Sequence, residues 1–417
     1  MPGFLLFALY FFILLAVVHY LAKRKIYRFS FWQTTAIFSF RIILGCLYGY
    51  IFLKYYGGDD TWNFFNDSLP EYNRLIHHPI SFFQDFLPAS SFGQSNSFRE
   101  AMDIYIRHLE YLLMVKPLAV FNIFSGRNYY IDVLFFNFIV CWGPFLLFKM
   151  VLQEFPDKKN ALFVSIFLIP SISFWLSGIR GEGFLFLFIV IILYYTRKWF
   201  TQKKAYYLIL IILGFAGFLI FRVQFLMVFL PAFFCWTLSI SGRLKALYYF
   251  ILFYALGISV FLGTILFSPH NNLGLPLIRK QGEFLELHGN TRFKLDTLEN
   301  SVTSFIKILP QALANTMVRP LIWEAKGILQ LAASFEIMLV WIILIFLLTR
   351  REKNWKQSIN SPTLLLFVFY SVSQILLIGY IVPFPGAIVR YKIIPELFLL
   401  IAATILINWG KNDNKLQ

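Results

Sequence analysis

Two adjacent carboxylates, Asp59 and Asp60, follow two glycines in the stretch Gly57-Gly58-Asp59-Asp60-Thr61-Trp62. They come directly behind a hydrophobic run that ends near Tyr56. At such a boundary a low dielectric disfavours ionised carboxylates and raises their proton affinity. The pair suits a general base, or a divalent cation held between the two carboxylates. The plain alternative is a solvated loop start, with Asp60 capping a helix that begins at Thr61. Asp67 and Asp103 are weaker candidates, since polar loops carry aspartates in any case.

Basic groups recur at the ends of later apolar runs. In Ser177-Gly178-Ile179-Arg180-Gly181-Glu182 a glycine-bracketed turn holds Arg180, whose planar fork suits a phosphate, with Glu182 to orient it. An internal ion pair that snorkels to the interface is the competing reading. Arg222 stands alone between two apolar runs, where snorkelling and phosphate binding explain it equally. Pro383-Phe384-Pro385-Gly386 breaks the chain ahead of Arg390, Tyr391 and Lys392, which suit a phosphate or pyrophosphate headgroup, or an anionic lipid. Arg319 to Glu324 sets Trp323 beside an acid and a base. An indole face stacks on a sugar ring, and Trp is equally a residue of the membrane interface. His77, His78 and His288 have no metal-ligand spacing and read as loop histidines, so no metal ligands are assigned.

The elements that position these groups follow from composition. Of 417 residues 59% are hydrophobic and 14% charged, where soluble chains carry roughly 25% charged residues. This predicts an all-α polytopic membrane protein, with residues 1–417 as a single membrane domain. The formal net charge of +16 would suggest nucleic acid in a soluble protein, but here it reflects the Lys/Arg enrichment of cytoplasmic loops, and no nucleic-acid partner is expected. Cys46, Cys141 and Cys235 lie inside apolar runs and read as packing residues.

A span needs about 20 apolar residues, and about eleven candidates are found. They run approximately over 3–22, 34–55, 129–151, 161–177, 183–196, 205–221, 223–240, 246–267, 331–349, 362–382 and 393–409. Basic residues follow every odd-numbered span: Lys23-Arg24-Lys25, Lys158-Lys159, Arg197-Lys198, Arg243, Arg350-Arg351, and Lys411 with Lys415. The alternation predicts an outer N-terminus and a cytoplasmic C-terminus. Because basic residues follow the first run instead of preceding it, that run reads as a retained span and not as a cleaved signal. Two long loops, about 56–128 and 268–329, then fall outside. Tyr105 to Phe124, with Lys116-Pro117 interrupting its apolar face, reads as an interfacial helix or a half-inserted segment, and Phe305 to Trp323 as a second surface helix.

Together these positions resemble the GT-C superfamily of integral-membrane glycosyltransferases. Gly58-Asp59-Asp60 is similar to the family's acidic motif in the first outer loop. Ser177 to Glu182 is similar to its turn after a middle span, with Arg where Lys is common. Arg390-Tyr391 is similar to its late Arg-Tyr pair. An extra N-terminal span is the main departure. The resemblance implies a sugar donor on a polyprenyl phosphate, a glycan or lipid acceptor, and transfer with inversion on the outer face. Asp59 or Asp60 would act as base, with Arg180, Arg390 and Lys392 on the leaving phosphate. Two long outer loops without a cysteine pair fit a bacterial inner membrane. The competing readings are a polysaccharide polymerase or O-antigen-ligase-like enzyme using pyrophosphate-linked glycans, which needs no early carboxylate, and a lipid-linked transporter or flippase. Arg41 and Glu336 within spans are the thin support for transport. A non-enzymatic envelope assembly protein is a fourth.

Overall fold

Side-chain caps set the start of several helices, at Ser30, Ser97, Asn128, Ser301 and Ser361. The computed structural model describes residues 3–87, 97–268, 270–288 and 291–409, so Pro269, Lys411 and Lys415 lie outside the described residues. Helix α1 covers Gly3–Leu21 and α2 covers Phe31–Tyr56. The Ser30 hydroxyl accepts the Gln33 N–H, and the Gln33 side chain accepts the Ser30 N–H, which starts α2 with a capping box. At 26 residues α2 is about 39 Å long, enough to cross a hydrocarbon core of roughly 30 Å. Gly57 and Gly58 then adopt φ of 70° and 117°, and the Gly58 N–H returns to Phe52 O at 2.9 Å. Such a left-handed end strongly favours glycine. Asp59 continues with φ of 51°, and helix α3, Asp59–His77, starts there.

After the short α4, Pro79–Gln84, comes α5, Phe98–Ser125, which begins with Ser97 capping the Glu100 N–H. Helices α6, Tyr129–Val140, and α7, Trp142–Glu154, together form one candidate span. Helices α8, Lys159–Phe167, and α9, Pro170–Ser177, are short and apolar. Then follow α10, Gly181–Gln202, and α11, Ala205–Ser241. The remainder is α12, Ala246–Phe267; α13, Leu275–Glu286; α14, Val302–Leu313; α15, Ile328–Thr349; α16, Trp355–Ile359; α17, Pro362–Ile381; α18, Pro385–Tyr391; and α19, Ile393–Leu406.

Among the described residues there are helices and no strands, and eight helices are long and apolar enough to cross a membrane, or nine if α8 and α9 form one span. The protein is therefore an integral membrane protein. The expected runs 205–221 and 223–240 meet at a kink within α11, where Arg222 leaves helical geometry (φ −156°, ψ 80°). The expected run 393–409 is the 14-residue α19, short for a span by itself.

The chain divides into two compact units, Met1–Glu154 with Ile166–Val223, and Phe155–Ser165 with Gln224–Gln417. In the first, α3 and α5 pack on each other and α9 packs on α2. Helix α5 runs unbroken through Lys116 and Pro117. Lys116 is buried, and instead of breaking an apolar face its Nζ reaches Glu71 Oε2 at 2.5 Å, Asp85 Oδ2 at 2.8 Å and Phe82 O at 2.9 Å. Arg74 holds Asp85 from the other side, so one ion network ties α3, α4 and α5 into a cap. In the second unit, Ile265, Leu295, Leu298, Phe305 and Ile308 form a core. Buried Gln281 bridges Asp296 O and Tyr380 O, and Tyr380 Oη donates to Phe305 O at 2.7 Å. Part of the second long loop is thereby built into the fold.

Candidate active site

The turn between α9 and α10 is held from below. Arg41 Nη2 donates to Leu176 O at 3.0 Å, and Asn137 Nδ2 donates to Ser177 O at 2.8 Å. Both acceptors are carbonyls at the C-terminal end of α9 with no further turn of helix to bond them. Arg41 therefore has a local capping role. Gly178 lies against Tyr48; a Cβ there would stand 2.6 Å from the ring. Ile179 is fully buried, and Arg180 emerges in extended conformation as the residue before α10.

Arg180 is 4% exposed and turns its fork to the two aspartates. Its Nη1 donates to Asp59 Oδ2 at 2.7 Å and to Tyr48 Oη at 2.9 Å, and its Nη2 donates to Asp60 Oδ2. The side chains of Asp59 and Asp60 are 35% and 52% exposed, so the cluster opens to solvent on their side. Burial works against the charged guanidinium of Arg180, and Tyr48, Glu182, Asp60 and Asp59 outweigh it, holding the proton more firmly than usual. The expectation that Asp60 caps a helix from Thr61 is not what is seen. Helix α3 begins at Asp59 without a side-chain cap, and both carboxylates go to Arg180.

The network continues inward. Glu182, 5% exposed, lies 3.9 Å from Arg180 Nε through Oε2 and 3.9 Å from Arg222 Nη2 through Oε1. Arg222, at the break in α11, donates to Glu110 Oε1 at 2.5 Å. Burial raises the Glu110 carboxyl above its ordinary value, Arg222 works against this, and the neighbouring Glu182 and Asp60 add to the rise. Four carboxylates thus alternate with two guanidiniums. With all groups ionised the cluster carries two more negative charges than positive. Among the described residues no three His, Cys, Asp or Glu side chains gather as a metal-holding group, and the aspartates that could have held a cation are engaged by Arg180.

The other expected residues lie in the second unit. Arg319 gives its fork to Glu324, with Nε at 2.9 Å from Oε1, and lays its guanidinium over the Phe293 ring at 4.0 Å. The Arg319 hydrogen bonds hold the Glu324 carboxyl below its usual range. This pair buckles the loop, while Trp323 projects with 81% exposure. Arg390 Nη2 donates to Tyr391 Oη at 3.0 Å. Lys392 is buried, near Thr316 O at 3.4 Å and Glu396 Oε2 at 3.6 Å.

Asp59, Asp60, Arg180, Glu182 and Arg222 are therefore brought into one cluster. Sequence reasoning missed Tyr48 and Glu110. Tyr48 is one aromatic among many in a span, and Glu110 one charge among many in an amphipathic stretch. Compared with protein-family models, curated proteins and solved structures, the chain matches none.

Proposed function

We propose that the protein is a GT-C-like membrane glycosyltransferase. It moves a sugar from a polyprenyl-phosphate donor to a glycan or lipid acceptor on the outer face, with inversion. The observation that carries this reading is the joining of Asp59 and Asp60 to Arg180 at the end of a membrane-spanning helix. The GT-C likeness itself rests on short motifs. Eleven spans, an outer N-terminus and a bacterial inner membrane belong to the same reading.

Asp59 and Asp60 share one guanidinium and have side chains 35% and 52% exposed, which puts a carboxylate within reach of an acceptor. That carboxylate takes the proton of an acceptor hydroxyl. The hydroxyl oxygen attacks the anomeric carbon, the bond from that carbon to the phosphate oxygen breaks, and polyprenyl phosphate leaves with the electron pair. Arg180 and Arg222 supply the positive charge that meets the leaving phosphate. Tyr48 and Glu182 keep Arg180 aimed, so little reorganisation is needed when the charge develops.

The test is an assay of the purified protein with polyprenyl-phosphate sugars and lipid-product analysis, on Asp59→Asn and Asp60→Asn. Loss of at least about a hundredfold in kcat is expected for the variant that removes the base. Full activity in both variants, and in the double variant, would reject the base assignment and favour an enzyme that works on pyrophosphate-linked glycans through arginines alone.

A further inference from the structure

A second charged site lies at the C-terminal end of α1. The residues that join α1 to α2 form a wide helical turn, Ala22–Ile26, and then a short extended stretch. This joint is fixed. The Tyr27 N–H bonds Ala22 O at 3.0 Å, the Phe29 N–H bonds Tyr27 O at 2.7 Å, and the buried Phe29 ring packs on Phe145 and Phe148 with centroids 5.5 Å away. On it lies a cleft of about 680 Å³ lined by His19, Tyr20, Lys23, Arg24 and Arg28. His19 is set by a 3.2 Å contact with the Thr34 hydroxyl.

Three cationic side chains and a histidine thus face one cleft, and no carboxylate lines it. Among the described residues no salt bridge reaches Lys23, Arg24 or Arg28. Enrichment of basic residues beside a span accounts for their number. It does not account for their convergence on one concavity without a counter-charge, where like charges repel. The cleft ends a helix that lies along the outside of the protein: Phe12 is 66% exposed and Tyr20 52%. An acyl chain can run along that helix while its phosphate sits among the cations.

We propose that this cleft binds the phosphate of an anionic phospholipid. The arginines match phosphate oxygens in charge and geometry. A zwitterionic headgroup is disfavoured because its ammonium finds no carboxylate, and because the Tyr20 ring already receives Arg24 at 4.6 Å. The inference stands whether or not the chain transfers sugar.

Native mass spectrometry of the full chain in neutral detergent tests it, with phosphatidylglycerol, phosphatidylcholine and inorganic phosphate as probes. The expected result is saturable binding of one phosphatidylglycerol, roughly tenfold tighter than phosphatidylcholine. Binding falls about tenfold in a Lys23→Gln, Arg24→Gln, Arg28→Gln protein and is kept in Arg243→Gln, Lys245→Gln, which alters another basic loop. Failure of inorganic phosphate to compete identifies the lipid as source, and full competition identifies free phosphate bound by the same cations. Equal binding of the two lipids, or equal loss in the control variant, overturns the proposal. If the triple variant does not fold, Arg24→Gln is judged by the same criteria.

Discussion

Two carboxylates compete for the single guanidinium of Arg180, and a third, Glu182, stands 3.9 Å behind it. The same pattern recurs beyond Glu182, where Arg222 faces Glu110 and Glu182. Glu110 is the member whose protonation is favoured by burial. A carboxyl whose pKa is raised in the fold adds stability below its unfolded value, and that stability is lost as pH rises through the folded value. Thermal unfolding from pH 4 to 8 should therefore show a destabilising step on the weakly acidic side that Glu110→Gln removes. An unchanged step in that variant would assign it to another group. Glu324 runs the opposite way. Arg319 lowers its carboxyl, so the stability from that pair is present above the ordinary glutamate range and is lost as pH falls through the depressed value.

Among the elements, α5 shows why part of the site was legible in sequence and part was not. Asp59, Asp60 and Arg180 stood out because glycines and charges at span ends are costly without a task. Glu110 and Lys116 sit in a polar, amphipathic stretch where charge is ordinary, and only the fold gives them partners: Arg222 at the break in α11 for Glu110, and Glu71 and Asp85 for Lys116. Lys116 was expected to interrupt an apolar face, yet it is the buried hub of the network with Glu71 and Asp85. Arg41, a charge within a span, donates to the Leu176 carbonyl left over at the end of α9. Such long-range pairings leave no periodic trace in the chain. Lys116→Met would leave Glu71 and Asp85 facing each other with Arg74 as their remaining cation. A loss of about 2–3 kcal/mol is expected, since the pair is only partly shielded from water. Thermal unfolding in detergent measures it, and a change under about 0.5 kcal/mol would show that the cap does not depend on this hub.

For the whole molecule, the count of spans decides on which sides of the membrane the groups lie. Eight helices qualify by length and composition, and α8 with α9 makes a ninth. Reaching eleven requires two more steps: α11 must cross twice by turning at Arg222, and α19 must cross although it has 14 residues. The first step has a physical argument. An unbroken helix of 37 residues would be about 55 Å long, nearly twice the hydrocarbon thickness, and α11 loses helical geometry at its single charged residue. Accessibility labelling in a protein with Cys46, Cys141 and Cys235 replaced by alanine decides it, with Lys203→Cys and Arg243→Cys as probes at the two ends of α11. Both probes should react only after the membrane is permeabilised, and Glu299→Cys should react in intact cells. If Lys203→Cys and Arg243→Cys fall on opposite faces, α11 crosses once. Arg222 would then lie within the bilayer instead of at its outer rim, and a guanidinium there could not meet a departing phosphate.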